Sequence, residues 1–168
     1  MALIKTRSVF PILVPAACSL DVLKHPLRQE GNSCSVYSCA NALLVMEVLA
    51  GGGLGFSALD LYKELLAQKY DNYDPRKSVS VPAVLELMKQ KMLIKKYRII
   101  QNTPEDYKIK LTQGYPIISV IQSPKRSHAV CTVGYDGNQF IVYNSNKPDI
   151  YDGLPPFEEI KKSYIIFQ

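Results

Sequence analysis

The chain has 168 residues, 47% of them hydrophobic and 21% charged, with 20 Lys and Arg against 15 Asp and Glu for a formal net charge of +5. That length and composition leave room for one domain with a real core, and exclude a disordered or low-complexity chain. The charge is mild, and a nucleic-acid binder should gather its basic residues on one element.

Met1–Arg7 is basic, Val9–Ala17 is apolar, and Ala16-Ala17-Cys18 has the outline of a secretory or lipoprotein cleavage site. The apolar stretch is short and carries Pro11 and Pro15, so it reads as structure. Ser8–Val14 is expected to be extended, at a sheet edge or as a crossing strand. The expected location is the cytoplasm, or another cell into which the chain is delivered without a cleaved signal peptide. No run approaches transmembrane length.

Leu20–Leu27 leads into Arg28-Gln-Glu-Gly-Asn-Ser-Cys34, a polar turn that ends on a cysteine. From Cys34 to Ala50 there is neither Pro nor Gly, and Val36, Ala40, Leu43, Leu44, Val48 and Leu49 leave little polar surface. This predicts a long central helix, buried on most sides. Asn32 or Ser33 can cap it. Gly51-Gly-Gly-Leu-Gly55 stops the helix. It is no phosphate cradle, because it follows a helix and no Gly-Lys-Ser/Thr ends it.

Ser57 with Asp60 opens a second helix, which Ala58, Leu61, Tyr62 and Leu65 carry to about Tyr70. Ser80 caps a third, with Pro82 in its first turn and an apolar stripe of Val81, Val84, Leu85, Met88 and Met92. The basic run Lys89, Lys91, Lys95, Lys96 and Arg98 reads as a solvated face.

The pattern then changes. Lys95–Ile100 alternates like a strand, and Thr103-Pro-Glu-Asp106 opens a short helix closed by Gly114. Pro116–Ile121, Ser127–Gly134 and Gln139–Tyr143 are strand-like, with Asp136-Gly137-Asn138 as a hairpin signal. Pro155–Lys162 predicts a turn of helix and Tyr164–Phe167 a closing strand. Helices first and an antiparallel sheet second predict an α+β fold. A helical lobe over about 20–94 would pack on a sheet lobe over about 95–168, crossed by segment 1–19, in a single domain.

The four cysteines are Cys18, Cys34, Cys39 and Cys131. No Cys-x-x-Cys pair occurs, and Cys34 and Cys39 turn to different sides of one helix, so reduced thiols are expected. Cys39 and Cys131 read as core. A zinc site from Cys131 and His128 lacks the four-ligand spacing.

Cys34 is different because it opens a helix, where the macrodipole stabilises a thiolate. Gln29, five residues upstream, can turn its amide N–H towards the same point and share an oxyanion with the Cys34 backbone N–H. Of the two histidines, His25 lies in a Lys-His-Pro connector, whereas His128 starts a strand and can lean across a cleft. Asn144, after the next strand, can accept from the His128 ring and fix its tautomer. Asn146 and Asp149 stay open as alternative orienting residues. Taken singly, Cys34 reads equally as a buried structural cysteine and His128 as a packed strand histidine.

Gln29…Cys34 at the helix start, Gly114-Tyr-Pro-Ile-Ile118, Ser127-His128-Ala-Val130 and Gly134-Tyr-Asp-Gly137 before Tyr143-Asn144-Ser145 follow one another in a familiar order. The pattern resembles the papain-like cysteine peptidases, and looks closest to the small bacterial branch of bacteriocin-leader-processing peptidases and effector proteases. The resemblance implies Cys34 as nucleophile, His128 as general base and acid, Asn144 as orienting residue and Gln29 as oxyanion donor. It implies cleavage of a peptide bond in a protein or peptide substrate, with no cofactor, no metal and no nucleic-acid or membrane partner. A glutamine deamidase or transglutaminase-like effector could use the same residues, and a silent binding module could keep the fold alone. Ser35 follows the cysteine where relatives often have Gly, Ala or Trp. Asn146 stands where many have a Trp, and many of the small branch have Asp at the position of Asn144. The oligomeric state is left open.

Overall fold

The computed structural model describes residues 27–50, 55–122, 124, 127–136, 138–146 and 154–168. The expected crossing segment at 1–19, Cys18, His25, the glycines of 51–53 and Asp149 lie outside these residues.

The central helix, α1, spans Cys34–Leu49. Val36, Cys39, Ala40, Ala42 and Val45 are fully buried, as are the polar Ser38 and Asn41, so no solvent-facing stripe remains over this stretch. A helix apolar on every side has to be the middle of something. Helix α2 (Ala58–Tyr70) and helix α3 (Val81–Gln90) pack against it. Both start as their sequences predict: the Ser57 hydroxyl accepts from the Asp60 N–H at 3.2 Å, and the Ser80 hydroxyl from the Ala83 N–H at 3.4 Å.

On its other side α1 meets a sheet of five strands, β1 (Lys96–Ile100), β2 (Ile117–Gln122), β3 (Ser127–Asp136), β4 (Gln139–Tyr143) and β5 (Ile160–Phe167). Their order is β1-β5-β2-β3-β4, and every pairing is antiparallel. Alternation sorts the faces. Ile118, Ala129, Cys131, Val133, Tyr143 and Tyr164 join α1 in the larger core. Ile117, Val130, Phe140, Val142 and Ile165 pack with Tyr107 and Leu111 of the short helix α4 (Pro104–Thr112) in the smaller one. The result is the expected α+β architecture, helices on one face and α4 on the other.

Two expectations need correction. Met92 does not continue the α3 stripe: the helix ends at Gln90, and Met92 sits in a left-handed turn (φ +57°) with 90% of its surface exposed. The turn needed to reverse the chain into β1 takes precedence over the periodicity. The stretch expected as a turn of helix is a 3₁₀ turn at Phe157–Glu159 only, and β5 begins at Ile160, four residues before the expected strand. Two polar lysines at 161 and 162 mask the strand pattern in the sequence.

The β5 strand is held between β1 and β2 by more than its ladder. Tyr107, fully buried, bonds through its hydroxyl to Ser119 (2.7 Å) and Ser163, and the Ser163 hydroxyl bonds with Asn102 Oδ1. The Asn102 amide donates to the Ile160 carbonyl at 2.9 Å. Buried polar groups joined this way specify one strand register, since a slipped register would orphan several of them.

The core carries an alkaline liability. Burial pushes the Cys39 and Cys131 thiols well up, and burial with the neighbouring Tyr73 raises Tyr62 to about 12. Each group therefore keeps its proton in the folded chain at a pH where the unfolded chain would release it. Stability from these groups is present in full below about pH 9 and is lost as pH rises towards 12. Denaturant midpoints measured across this range should fall steadily, and Cys131→Ala should flatten the slope. A midpoint unchanged between pH 9 and 11 would contradict this.

Candidate active site

The start of α1 is clamped before any chemistry is considered. Gly31 turns the chain at φ +55°, and a Cβ there would lie 2.3 Å from the Pro75 carbonyl oxygen. The Asn32 N–H donates to that same oxygen at 3.0 Å, and the Asn32 side chain donates to the Arg76 carbonyl. The Ser33 hydroxyl donates to the Glu30 carbonyl. Of the two residues expected as helix caps, Asn32 ties the turn to loop 74–77 and the Ser33 side chain ties it to the Glu30 carbonyl. Ser35, which follows Cys34 where relatives often have Gly, Ala or Trp, has a structural reason: its buried hydroxyl donates to the Val79 carbonyl at 2.6 Å. Loop 74–79 therefore grips the helix on both sides of Cys34.

Cys34 is half-buried, whereas Cys39 and Cys131 are fully buried. It opens into a cleft of about 420 Å³ between the helices and the sheet. Ser35, Val79, Val81 and Pro82 form one wall, and Val120, His128, Ala129 and Tyr164 form the other. His128, the second residue of β3, pairs with Ile121 of β2 at the sheet's end. Cys34 and His128, far apart in sequence, thus face one space.

The register of β3 and β4 supplies the third group. Tyr143 lies opposite Cys131, so the chain leaving β4 runs back towards the start of β3. Asn144 Oδ1 there accepts from His128 Nε2–H at 2.9 Å, and also from the Asn146 backbone N–H at 3.2 Å. Of the three orienting residues considered, Asn144 makes the contact. Asn146 is exposed, and Asp149 lies outside the described residues. With Nε2 as donor, Nδ1 is the nitrogen that carries the lone pair.

Gln29 does not line the cleft. Its backbone N–H donates to the Ser145 carbonyl at 2.9 Å, and its Oε1 accepts from the Ser145 hydroxyl at 2.7 Å. Its Nε2 donates to the Gly31 carbonyl at 2.8 Å. The Ser145 hydroxyl therefore fixes which way the amide points, with nitrogen towards the turn that delivers Cys34. Ser145, 1% exposed, was not legible as a functional residue, because a serine after an asparagine has no signal of its own. Asn41 was also missed: it is fully buried in α1, and its amide holds the Leu27 N–H at 2.8 Å, just upstream of Gln29. An asparagine amid an apolar helix was the available clue, since a buried amide needs partners.

Among the described residues, no three His, Cys, Asp or Glu side chains gather where they could hold a metal, and no helix is long and apolar enough to cross a membrane.

A protein-family comparison matches residues 22–168 to the family described as Peptidase_C39 like. No curated protein matches. Among solved structures, a C39-like peptidase from Bacillus anthracis is similar at a TM-score of 0.59 and 13% identity, over 88% of this chain and 96% of that one. Xylellain, a cysteine protease from Xylella fastidiosa, gives 0.64 and 14%, over 87% and 84%. The Carica candamarcensis cysteine protease CMS1MS2, solved with E-64, gives 0.62 and 15%, over 85% and 92%. At these identities the structures speak for the papain-like fold, and the family match extends over nearly all of the chain. The chain belongs to the Peptidase_C39 like family, and it is a cysteine peptidase of papain-like fold.

Proposed function

We propose that the protein cleaves a peptide bond in a protein substrate, with Cys34 as nucleophile, His128 as general base and acid, Asn144 as orienting residue and Gln29 as oxyanion donor. The observation that carries the reading is the 2.9 Å bond from His128 Nε2–H to Asn144 Oδ1, made beside a cleft that also holds a helix-opening cysteine. That bond presents Nδ1 as the base. His128 takes the Cys34 proton, and the helix N-terminus favours the thiolate left behind. The thiolate adds to the carbonyl carbon, and the oxygen gains the negative charge. The Cys34 backbone N–H and the second N–H of Gln29 Nε2 are the donors for that charge. The imidazolium then protonates the leaving amine as the C–N bond breaks, leaving a thioester. Water, deprotonated by His128, hydrolyses it and restores the thiol.

The test is the pH dependence of iodoacetamide labelling, read cysteine by cysteine through peptide mapping, in the native chain and in His128→Ala. Cys34 should label well below pH 8, with an apparent pKa under the free value of about 8.5, and the mutation should raise it. Cys39 and Cys131 should stay unlabelled in the folded protein, since burial raises both thiols. E-64, the compound in the Carica structure, should compete with the label. A Cys34 of ordinary pKa that ignores His128 would sink the reading. Ammonia release without chain cleavage would replace it by deamidation.

A further inference from the structure

The cleft has a charge pattern that the chemistry of Cys34 and His128 does not need. Among the described residues three cations line it, Lys69 from the last turn of α2 and Lys161 and Lys162 from the start of β5, and no acidic side chain does. Among the described residues none of the three is ion-paired. The ion pairs seen there lie elsewhere, at Arg76–Asp74, Lys89–Glu86 and Lys91–Glu64. Three of the chain's 20 lysines and arginines thus gather where a substrate would lie.

The backbone is arranged to put both β5 lysines there. In a regular strand consecutive side chains go to opposite faces, so one lysine would point into the core under α4. Instead the register jumps: Ile160 pairs with Ile121 and Lys162 with Val120, which leaves Lys161 as an extra residue. Burial follows the bulge, with Ile160 buried, Lys161 and Lys162 both exposed, and Ser163 buried again. Ile160 keeps its place in the smaller core, while Lys162 shares the face of Tyr164, which lines the cleft. Bulges beside active sites commonly re-aim a side chain in this way.

We infer that the cleft accepts an Asp or Glu side chain of the substrate next to the scissile bond, with Lys161 and Lys162 as the specificity-determining contacts and Lys69 on the facing wall. This rests on the peptidase reading above. A lysine suits the purpose twice, since its methylene stem forms an apolar wall and its ammonium reaches the carboxylate. The two-lysine contact should be worth about 3- to 30-fold in kcat/KM, the range expected for two partly solvated ion pairs.

Two readouts on the full chain test it. The first is kcat/KM for peptides that differ by Glu, Gln or Lys at one position near the cleavage point, scanned on both sides. Glu should exceed Gln at one position and Lys should fall below it. The preference should vanish in Lys161→Gln/Lys162→Gln, reverse in Lys161→Glu/Lys162→Glu, and shrink with added salt. The second needs no turnover: the rate of Cys34 alkylation by iodoacetate relative to iodoacetamide. His128 acts on both proteins alike, so a fall of about 3-fold or more in that ratio in the double Gln variant isolates the lysines. Both lysines are exposed, so the variants should fold, and their denaturation curves verify it.

Peptides cut without preference for Glu, or an alkylation ratio that the lysine changes leave unmoved, would overturn the acidic preference and leave the peptidase intact. A ratio that falls while no peptide is cut would overturn the peptidase reading and keep the anion-selective cleft. A Cys34 that reacts with neither reagent overturns both.

Discussion

Replacing His128 by Ala should lower kcat/KM on a peptide substrate by about 10³-fold, within the 10²–10⁴ range for a positioned general acid–base group. The loss should fall on kcat more than on KM, because in the proposed mechanism the ring moves protons and contributes little to holding the peptide. The acid limb of the pH–rate profile should move up with the raised Cys34 pKa, and the alkaline limb that reports the imidazolium should disappear. Asn144→Ala should cost less, about 10- to 100-fold, because on the proposed mechanism it acts through its 2.9 Å bond to His128 Nε2 and the ring keeps its place in β3. Steady-state rates on one cleaved peptide decide the ordering. An Asn144 variant as inactive as the His128 variant would mean that Asn144 itself touches the reaction. A fully active His128 variant would require a different base.

Gly31→Ala is the substitution expected to harm the fold most for its size. A Cβ there lies 2.3 Å from the Pro75 carbonyl oxygen and 2.9 Å from Pro75 Cβ, and the backbone is left-handed at φ +55°. Backbone cannot yield as a flexible side-chain end can. Loop 74–77 would have to move, and with it the carbonyls that accept from Asn32 and from the buried Tyr62 hydroxyl. The strained φ and the displaced loop together should destabilise the protein by about 2–4 kcal/mol. Gly55→Ala is the matched control: nothing lies within 4 Å of its Cβ, so it should change stability by about 0.5 kcal/mol or less. Urea denaturation of the two variants reads the difference. Because the displaced turn delivers Cys34, the Gly31 variant should also lose activity beyond its loss of folded protein. Equal stability in the two variants would mean that the turn relaxes freely, and the clamp on Cys34 would be weaker than the geometry implies.

Local physics carried the sequence reading where one stretch contains its own cause. The apolar run Cys34–Ala50 has to be a buried helix, and it is a helix over Cys34–Leu49, buried from Ser35 to Val45. Ser57, Ser80 and Thr103 stand where caps are needed, and each accepts the expected N–H. The β3–β4 pair joins through a turn residue signal, and its strands lie close to where alternation puts them. The same locality explains the errors. The Met92 stripe is a periodicity that outlasts its helix, and β5 hid behind two lysines that a bulge turns outward.

The sequence by itself determined the α+β class, the helix-opening Cys34, and the candidacy of His128 and Asn144, because each follows from spacing, turn chemistry or helix polarity. Only the tertiary structure decided what those residues meet. It inserted β5 between β1 and β2, a pairing set by contacts distant in the chain. It chose Asn144 over Asn146 as the partner of His128 through the β3–β4 register. It turned Gln29 by a hydroxyl 116 residues away, and set Ser35 to hold the Val79 carbonyl. Distant pairings have no local period or propensity to announce them. They are fixed when buried donors and acceptors find the one arrangement in which all are satisfied.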